Sequence, residues 1–218
     1  MMKKPPFMIA LILFFALAPV YLAVIQNVPA RSAFQQVVLL LSLGAFGLVL
    51  GQFWLSRLLP RDAAGIPTAG VIRFHKIIGS IIGAFLLLHP GLMIARRFWV
   101  EESNPLDNLT LLLLAPALLP GIIAWVLLVA IVLLALPPVR RRLRGSTWRR
   151  LHGLLSLAFV GLATWHVVAV GRHSSLAMSA FWIALAAGSL GALLLSYRPA
   201  HRKILTKSTP EFAHETAR

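Results

Sequence analysis

Six long apolar blocks decide what this chain can fold into. They cover residues 7–24, 34–55, 71–95, a block ending at Ala135, 151–170 and 176–197. A helix needs about 20 consecutive apolar residues to cross the hydrocarbon core, and it satisfies its own backbone polar groups while doing so. The expected fold class is therefore all-α: a polytopic membrane protein, a six-helix transmembrane bundle over residues 1–197. The composition agrees, with 59% hydrophobic residues, only 12% charged and a mean hydropathy of +0.84; soluble domains are about a quarter charged. No soluble domain of useful size is left over. Residues 198–218, "RPAHRKILTKSTPEFAHETAR", are expected to be a basic, disordered cytoplasmic tail.

Two of the blocks need interpretation. The fourth follows "NLTLLLLAPALLPG", with prolines at 116 and 120. Proline is favoured in a first helical turn, so the spanning helix is expected to start near Pro120, after a short helix at the outer interface. The first block, preceded by Lys3 and Lys4, resembles a signal peptide. Its apolar core is long and "APVYLAV" continues it past any small-residue cleavage site, so a retained helix is expected.

The net charge of +15 is spread in a way that argues for membrane orientation, not for nucleic acid. With the N-terminus inside, 17 of the 21 Lys and Arg residues fall on the inner side, and the other four are Arg31, Arg96, Arg97 and Arg172. Positive residues remain on the cytoplasmic side, so both termini are expected to be cytoplasmic. A nucleic-acid partner would need a basic face on a folded soluble unit; none is present.

The chain has no cysteine, which excludes disulfides, thiolate-held clusters and covalent haem attachment through CxxCH. Histidine is left as the best metal ligand. "HKIIGSIIGAFLLLH" sets His75 and His89 fourteen positions apart, and "HGLLSLAFVGLATWH" sets His152 and His166 at the same interval. Fourteen helical steps return to within about 40° of the starting direction and rise about 21 Å. Each helix thus offers two imidazoles on one face, too far apart to chelate one ion. A zinc-protease pair would need i, i+4 spacing. The third and fifth spans run the same way, so the two pairs match in depth and two sites result, one near each leaflet. One imidazole from each of two facing helices suits a planar macrocycle: haem iron takes axial histidines, and filling both axial positions makes an electron carrier.

Small residues accompany the histidines: Gly79 and Gly83 after His75, Ser156 after His152, and Ala163 before His166. They leave space for a porphyrin edge or serve plain helix packing. Arg73, Arg149 and Arg150, with Lys76, cluster at the inner end and are candidates for haem propionates, although orientation alone accounts for them. Pro90 is equally explained as a kink. His173 is expected in a solvated loop, and His201 and His214 in the tail. Trp148, Trp165 and Trp182 suit either interfaces or porphyrin stacking.

With these motifs in view, the chain resembles the ferric reductase-like transmembrane domain family, which includes the membrane parts of ferric reductases and NADPH oxidases and the haem-binding subunit of the methionine sulfoxide reductase system. The resemblance rests on "HKIIGSIIGAFLLLHP" and "WRRLHGLLSLAFVGLATWH", with "PGIIAWVLLVAIVLL" as softer support. It implies two stacked b-type haems, His75 with His152 on the inner iron and His89 with His166 on the outer one, and electrons moving outward across the cell (inner) membrane. His75 aligns the chain with the di-haem reductases; haem subunits of the methionine sulfoxide type lack a histidine at that position.

No Gly-rich dinucleotide fingerprint occurs in the chain, so neither a flavin nor a nicotinamide site is expected in it. The implied oxidoreductase component takes electrons from a cytoplasmic flavoprotein or a quinol and passes them to an outer-side acceptor. Ferric chelates, oxygen and a periplasmic oxidoreductase all fit that last role. Two other readings compete: a haem-handling scaffold, which also uses paired histidines, and a haem-free transporter. Against cation coupling, Asp62, Glu101, Glu102, Asp107, Glu211 and Glu215 all fall in loops or the tail.

Overall fold

The computed structural model describes residues 6–29, 32–57, 68–101, 110 and 114–197. The expectations for the tail at 198–218 and for most of "NLTLLLL" lie outside them. Seven α-helices and one short 3-10 turn make up the described residues, with no strand among them. They are α1 (Pro6–Ile25), α2 (Ala33–Arg57), α3 (Thr68–Glu101), the 3-10 turn Pro116–Leu118, α4 (Leu119–Ala135), α5 (Pro137–Arg142), α6 (Gly145–Val170) and α7 (Leu176–Tyr197).

Five stretches are long and apolar enough to cross a membrane: Ala33–Trp54, Ala69–Ala95, Pro116–Ala135, Gly145–Val170 and Leu176–Leu194. The protein is a multi-pass membrane protein. In α1 the apolar stretch is the shorter Ile12–Ile25. The fourth span opens on prolines, as expected. The fifth begins at Gly145, ahead of 151, because Leu143 and Arg144 turn extended after α5 and the polar "GSTWRR" turn joins the apolar run in one helix.

Local chemistry sets the helix ends. Asn27 takes a left-handed φ of 49° and its N–H returns to the Val24 carbonyl, which stops α1. The Ser32 hydroxyl accepts from the Gln35 N–H at 3.2 Å and starts α2. Ser175 does the same for α7, accepting from the Met178 N–H at 3.3 Å.

Without a hydrophobic force between helices in lipid, association relies on close backbone approach and polar contacts. α1 and α2 illustrate the first. Gly47 faces the Phe15 carbonyl so tightly that a Cβ would overlap it, and at Gly51 a Cβ would come within 2.8 Å of the Phe15 ring. α2 and α7 illustrate the second, since the Trp54 indole N–H donates to Ser189 Oγ at 3.2 Å. Phe46 and Trp182 pack beside them with ring centres 5.0 Å apart. Trp182 is buried in this core.

The helices pack mainly as α1–α2, α2–α3, α2–α7, α4–α6 and α6–α7. Helix α3 also touches α4, and the Trp125 indole N–H donates to the Leu87 carbonyl at 3.0 Å. That carbonyl is one residue past Leu86, which loses its usual i+4 donor to Pro90.

Candidate functional site: two levels of paired histidines

All four intramembrane histidines lie within helices, His75 and His89 on α3, His152 and His166 on α6. Among the described residues, these two helices scarcely approach each other through their backbones. Their side chains nevertheless meet. The His75 and His152 ring centres are 6.3 Å apart, with the planes at 86°. At the other level, His166 is close enough to His89 to interact with it electrostatically.

Each ring is held from behind by a different device. The Gln52 side chain of α2 places Oε1 2.7 Å from His75 Nδ1. Ten residues earlier on the same helix, Ser42 Oγ lies 3.0 Å from His89 Nδ1. On α6, the Trp148 indole stacks on His152 at 5.0 Å and 12°. That indole is itself fixed, its N–H donating to the Leu134 carbonyl at 2.9 Å and the Arg140 guanidinium lying over its ring at 5.0 Å. The His166 ring rests against the α4 backbone, where a Cβ on Gly121 would fall 2.5 Å from Nδ1. Only glycine admits the imidazole at that point.

These residues fit a planar tetrapyrrole. Among the described residues, no three His, Asp or Glu side chains gather closely enough to hold a metal ion. Metal–imidazole bonds of about 2 Å on opposite sides of one ion put the ring centres about 6 Å apart, in line with the 6.3 Å observed. The α3 and α6 backbones make few close contacts, so the two helices leave room between them for a flat group. The small residues divide in role. A Cβ on Gly79 would meet nothing within 4 Å, whereas one on Gly83 would touch Val132 of α4 at 3.7 Å. Gly79 borders open space and Gly83 serves packing. Ser156 only returns its hydroxyl to the His152 carbonyl at 2.7 Å.

The arginines are less concentrated. Arg73, Arg149 and Arg150 are all exposed at the ends of α3 and α6 nearest His75 and His152. Arg150 borders an apolar groove against α7, with Leu154, Leu157 and Leu193. Arg172 donates to the Pro29 carbonyl and ties the α6–α7 loop to the α1–α2 connection.

His173 departs from expectation. It is buried, 4% exposed, and neither ring nitrogen has a hydrogen-bond partner among the described residues. The loop turns back on the helix end, with the Gly171 N–H and the Ser174 hydroxyl both donating to the Val167 carbonyl. That turn tucks the ring inward. Burial, with the Arg172 charge beside it, holds the His173 pKa below the ordinary 6.5.

Sequence reasoning did not single out Gln52, Ser42 or Gly121. The first two carried a signal, being polar side chains inside an otherwise apolar span. For Gly121 the sequence carried none, because its role depends on which face of α6 meets α4.

The comparisons with known proteins agree with this architecture. A family model described as "Ferric reductase like transmembrane component" matches residues 8–163. An uncharacterised protein of Archaeoglobus fulgidus is 30% identical over 157 residues, covering 70% of this chain and 85% of its own length. No solved structure matches.

Proposed function

Since the chain belongs to the family of ferric reductase-like transmembrane components, and so to a class of membrane electron-transfer components, we propose that it is a di-haem b-type cytochrome of the cell membrane. His75 and His152 would hold the inner haem iron, and His89 and His166 the outer one. The observation that carries this reading is the approach of the His75 and His152 rings to 6.3 Å across two helices whose backbones stay apart. His89 and His166 stand fourteen residues further along the same two helices.

Haem, held by these imidazoles, would supply one-electron chemistry. The chain's residues do the rest. Gln52 and Ser42 orient the α3 imidazoles, Trp148 and Gly121 seat those of α6, and the apolar helices keep water from both centres. Arg73 and Arg149, with Arg150 at the same end, offset the propionate charge of the inner haem. With α1 as a sixth span both termini lie on one side, and the 17-to-4 split of Lys and Arg favours the cytoplasm for that side. Electrons then enter from a cytoplasmic flavoprotein or a quinol and leave to an outer-side acceptor.

The test is electron transfer across a sealed vesicle. Proteoliposomes containing trapped ferricyanide are given an impermeant reductant outside. Reduction of the trapped oxidant that depends on the protein, and is lost in His75→Ala and His89→Ala variants, is expected. Reduction no faster than in empty vesicles, from haem-loaded protein inserted in both orientations, contradicts the proposal.

A further inference from the structure

Helix α2 carries two polar side chains that each meet an imidazole of α3, and the hydrogen-bond directions at both can be assigned. Ser42 has one hydroxyl proton, and it is donated to the Val38 carbonyl at 2.6 Å. Toward His89 Nδ1, 3.0 Å away, Ser42 Oγ is therefore the acceptor and Nδ1 carries the proton. Gln52 Oε1 accepts only, so at 2.7 Å the His75 Nδ1 is again the donor. In both rings the lone pair then sits on Nε2.

The two contacts are made at different reach. Ser42 and Gln52 are ten residues apart, a rise of about 15 Å, while His75 and His89 are fourteen apart, about 21 Å. The longer glutamine side chain makes up part of the difference. Gln52 is buried, and its Nε2 has no partner among the described residues. A buried amide with an unmade bond is costly, and its one hydrogen bond in evidence is the one to His75.

We propose that α2 tunes both redox centres: Ser42 and Gln52 are positioning residues that fix the Nδ1–H tautomer of His89 and His75 and make Nε2 a stronger donor to iron. This inference rests on the di-haem reading above. An Nδ1–H···O bond raises the basicity of the ligating nitrogen. A more basic ligand stabilises the more positively charged, oxidised iron, so each contact lowers the reduction potential of its own haem. His166 is built differently, its Nδ1 resting on Gly121 without a hydrogen-bond partner among the described residues. Within the outer pair the tuning therefore comes from the α3 side.

The experiment is a spectroscopic redox titration of the purified, haem-loaded full chain and its variants. Gln52→Leu removes the acceptor and Gln52→Met leaves only a weak thioether one, so both should raise the midpoint potential of the inner haem alone. Gln52→Glu retains an acceptor and should leave that potential at or below the wild-type value. Ser42→Ala should raise the outer potential alone. Haem retention against an acceptor apoprotein should weaken about 10–100-fold where the acceptor is lost. Unmoved potentials in Gln52→Met and Ser42→Ala overturn the inference, as does an upward shift in Gln52→Glu equal to that in Gln52→Met. Should Gln52→Leu fail to accumulate, those other variants decide the matter. Wild-type protein without haem overturns the di-haem reading itself, whereas two haems with unmoved potentials overturn only the role of α2.

Discussion

The ring centres of His75 and His152 stand 6.3 Å apart although α3 and α6 scarcely touch through their backbones. Two residues serving one centre should behave as a unit. His75→Ala and His152→Ala are each expected to lose one haem of two, and the double variant no more than either single one. His89→Ala with His166→Ala should repeat the pattern at the other level. Haem-to-chain ratios of the six variants check this; additive losses within a pair would mean the two histidines serve different centres.

Gly121 should be intolerant of any side chain. A Cβ there would lie 2.5 Å from His166 Nδ1, so Gly121→Ala has to displace either the imidazole or α4. Overpacking of this kind costs about 1–3 kcal/mol. The expected result is loss of the outer haem with the inner one retained. Gly161→Ala on α6, where a Cβ would meet nothing within 4 Å, is the control and should be neutral.

The α1–α2 contact makes a separate prediction about stability. At Gly47 the obstruction is the Phe15 backbone carbonyl, which cannot rotate aside. Gly47→Ala should lower the melting temperature in detergent, again by about 1–3 kcal/mol of stability. Gly191→Ala on α7, with open space around it, should leave it unchanged.

His173 gives stability a pH dependence. Its folded pKa lies below the ordinary 6.5, so the unfolded chain takes up its proton first as pH falls. Its contribution is neutral above about pH 6.5, where the ring is uncharged in both states, and becomes destabilising below it. Melting temperatures between pH 7.5 and 5.5 should fall less in His173→Gln than in wild type. Parallel curves would show that the ring gains its proton equally in both states.

Much of this architecture was legible in the sequence, for identifiable reasons. Lipid forces the backbone into helices, so apolar length alone located α2, α3, α4, α6 and α7. Fixed helical rise made the repeated fourteen-residue interval a statement about depth, which put two imidazoles at each of two levels. What could not be read is what depends on helix rotation and neighbours. Gln52 and Ser42 were visible as polar intruders, but nothing in the string says that α2 lies against α3 with those side chains turned to the histidines. Trp148 was undecided between an interface and porphyrin stacking; its stack on His152, with the Leu134 carbonyl of α4 and Arg140 of α5 around the indole, depends on how those helices pack and was not readable. His173 was placed in solvent because it follows the last apolar residue of α6, and a five-residue turn that doubles back is not a property of composition.

The most direct test is an absorption spectrum of the purified chain, produced with ample haem, as dithionite-reduced minus oxidised, with haem counted per polypeptide. The account predicts two low-spin b-type haems per chain, and one in a His152→Ala variant. A colourless, folded protein would contradict it, as would a wild-type content that His152→Ala and His89→Ala both leave unchanged.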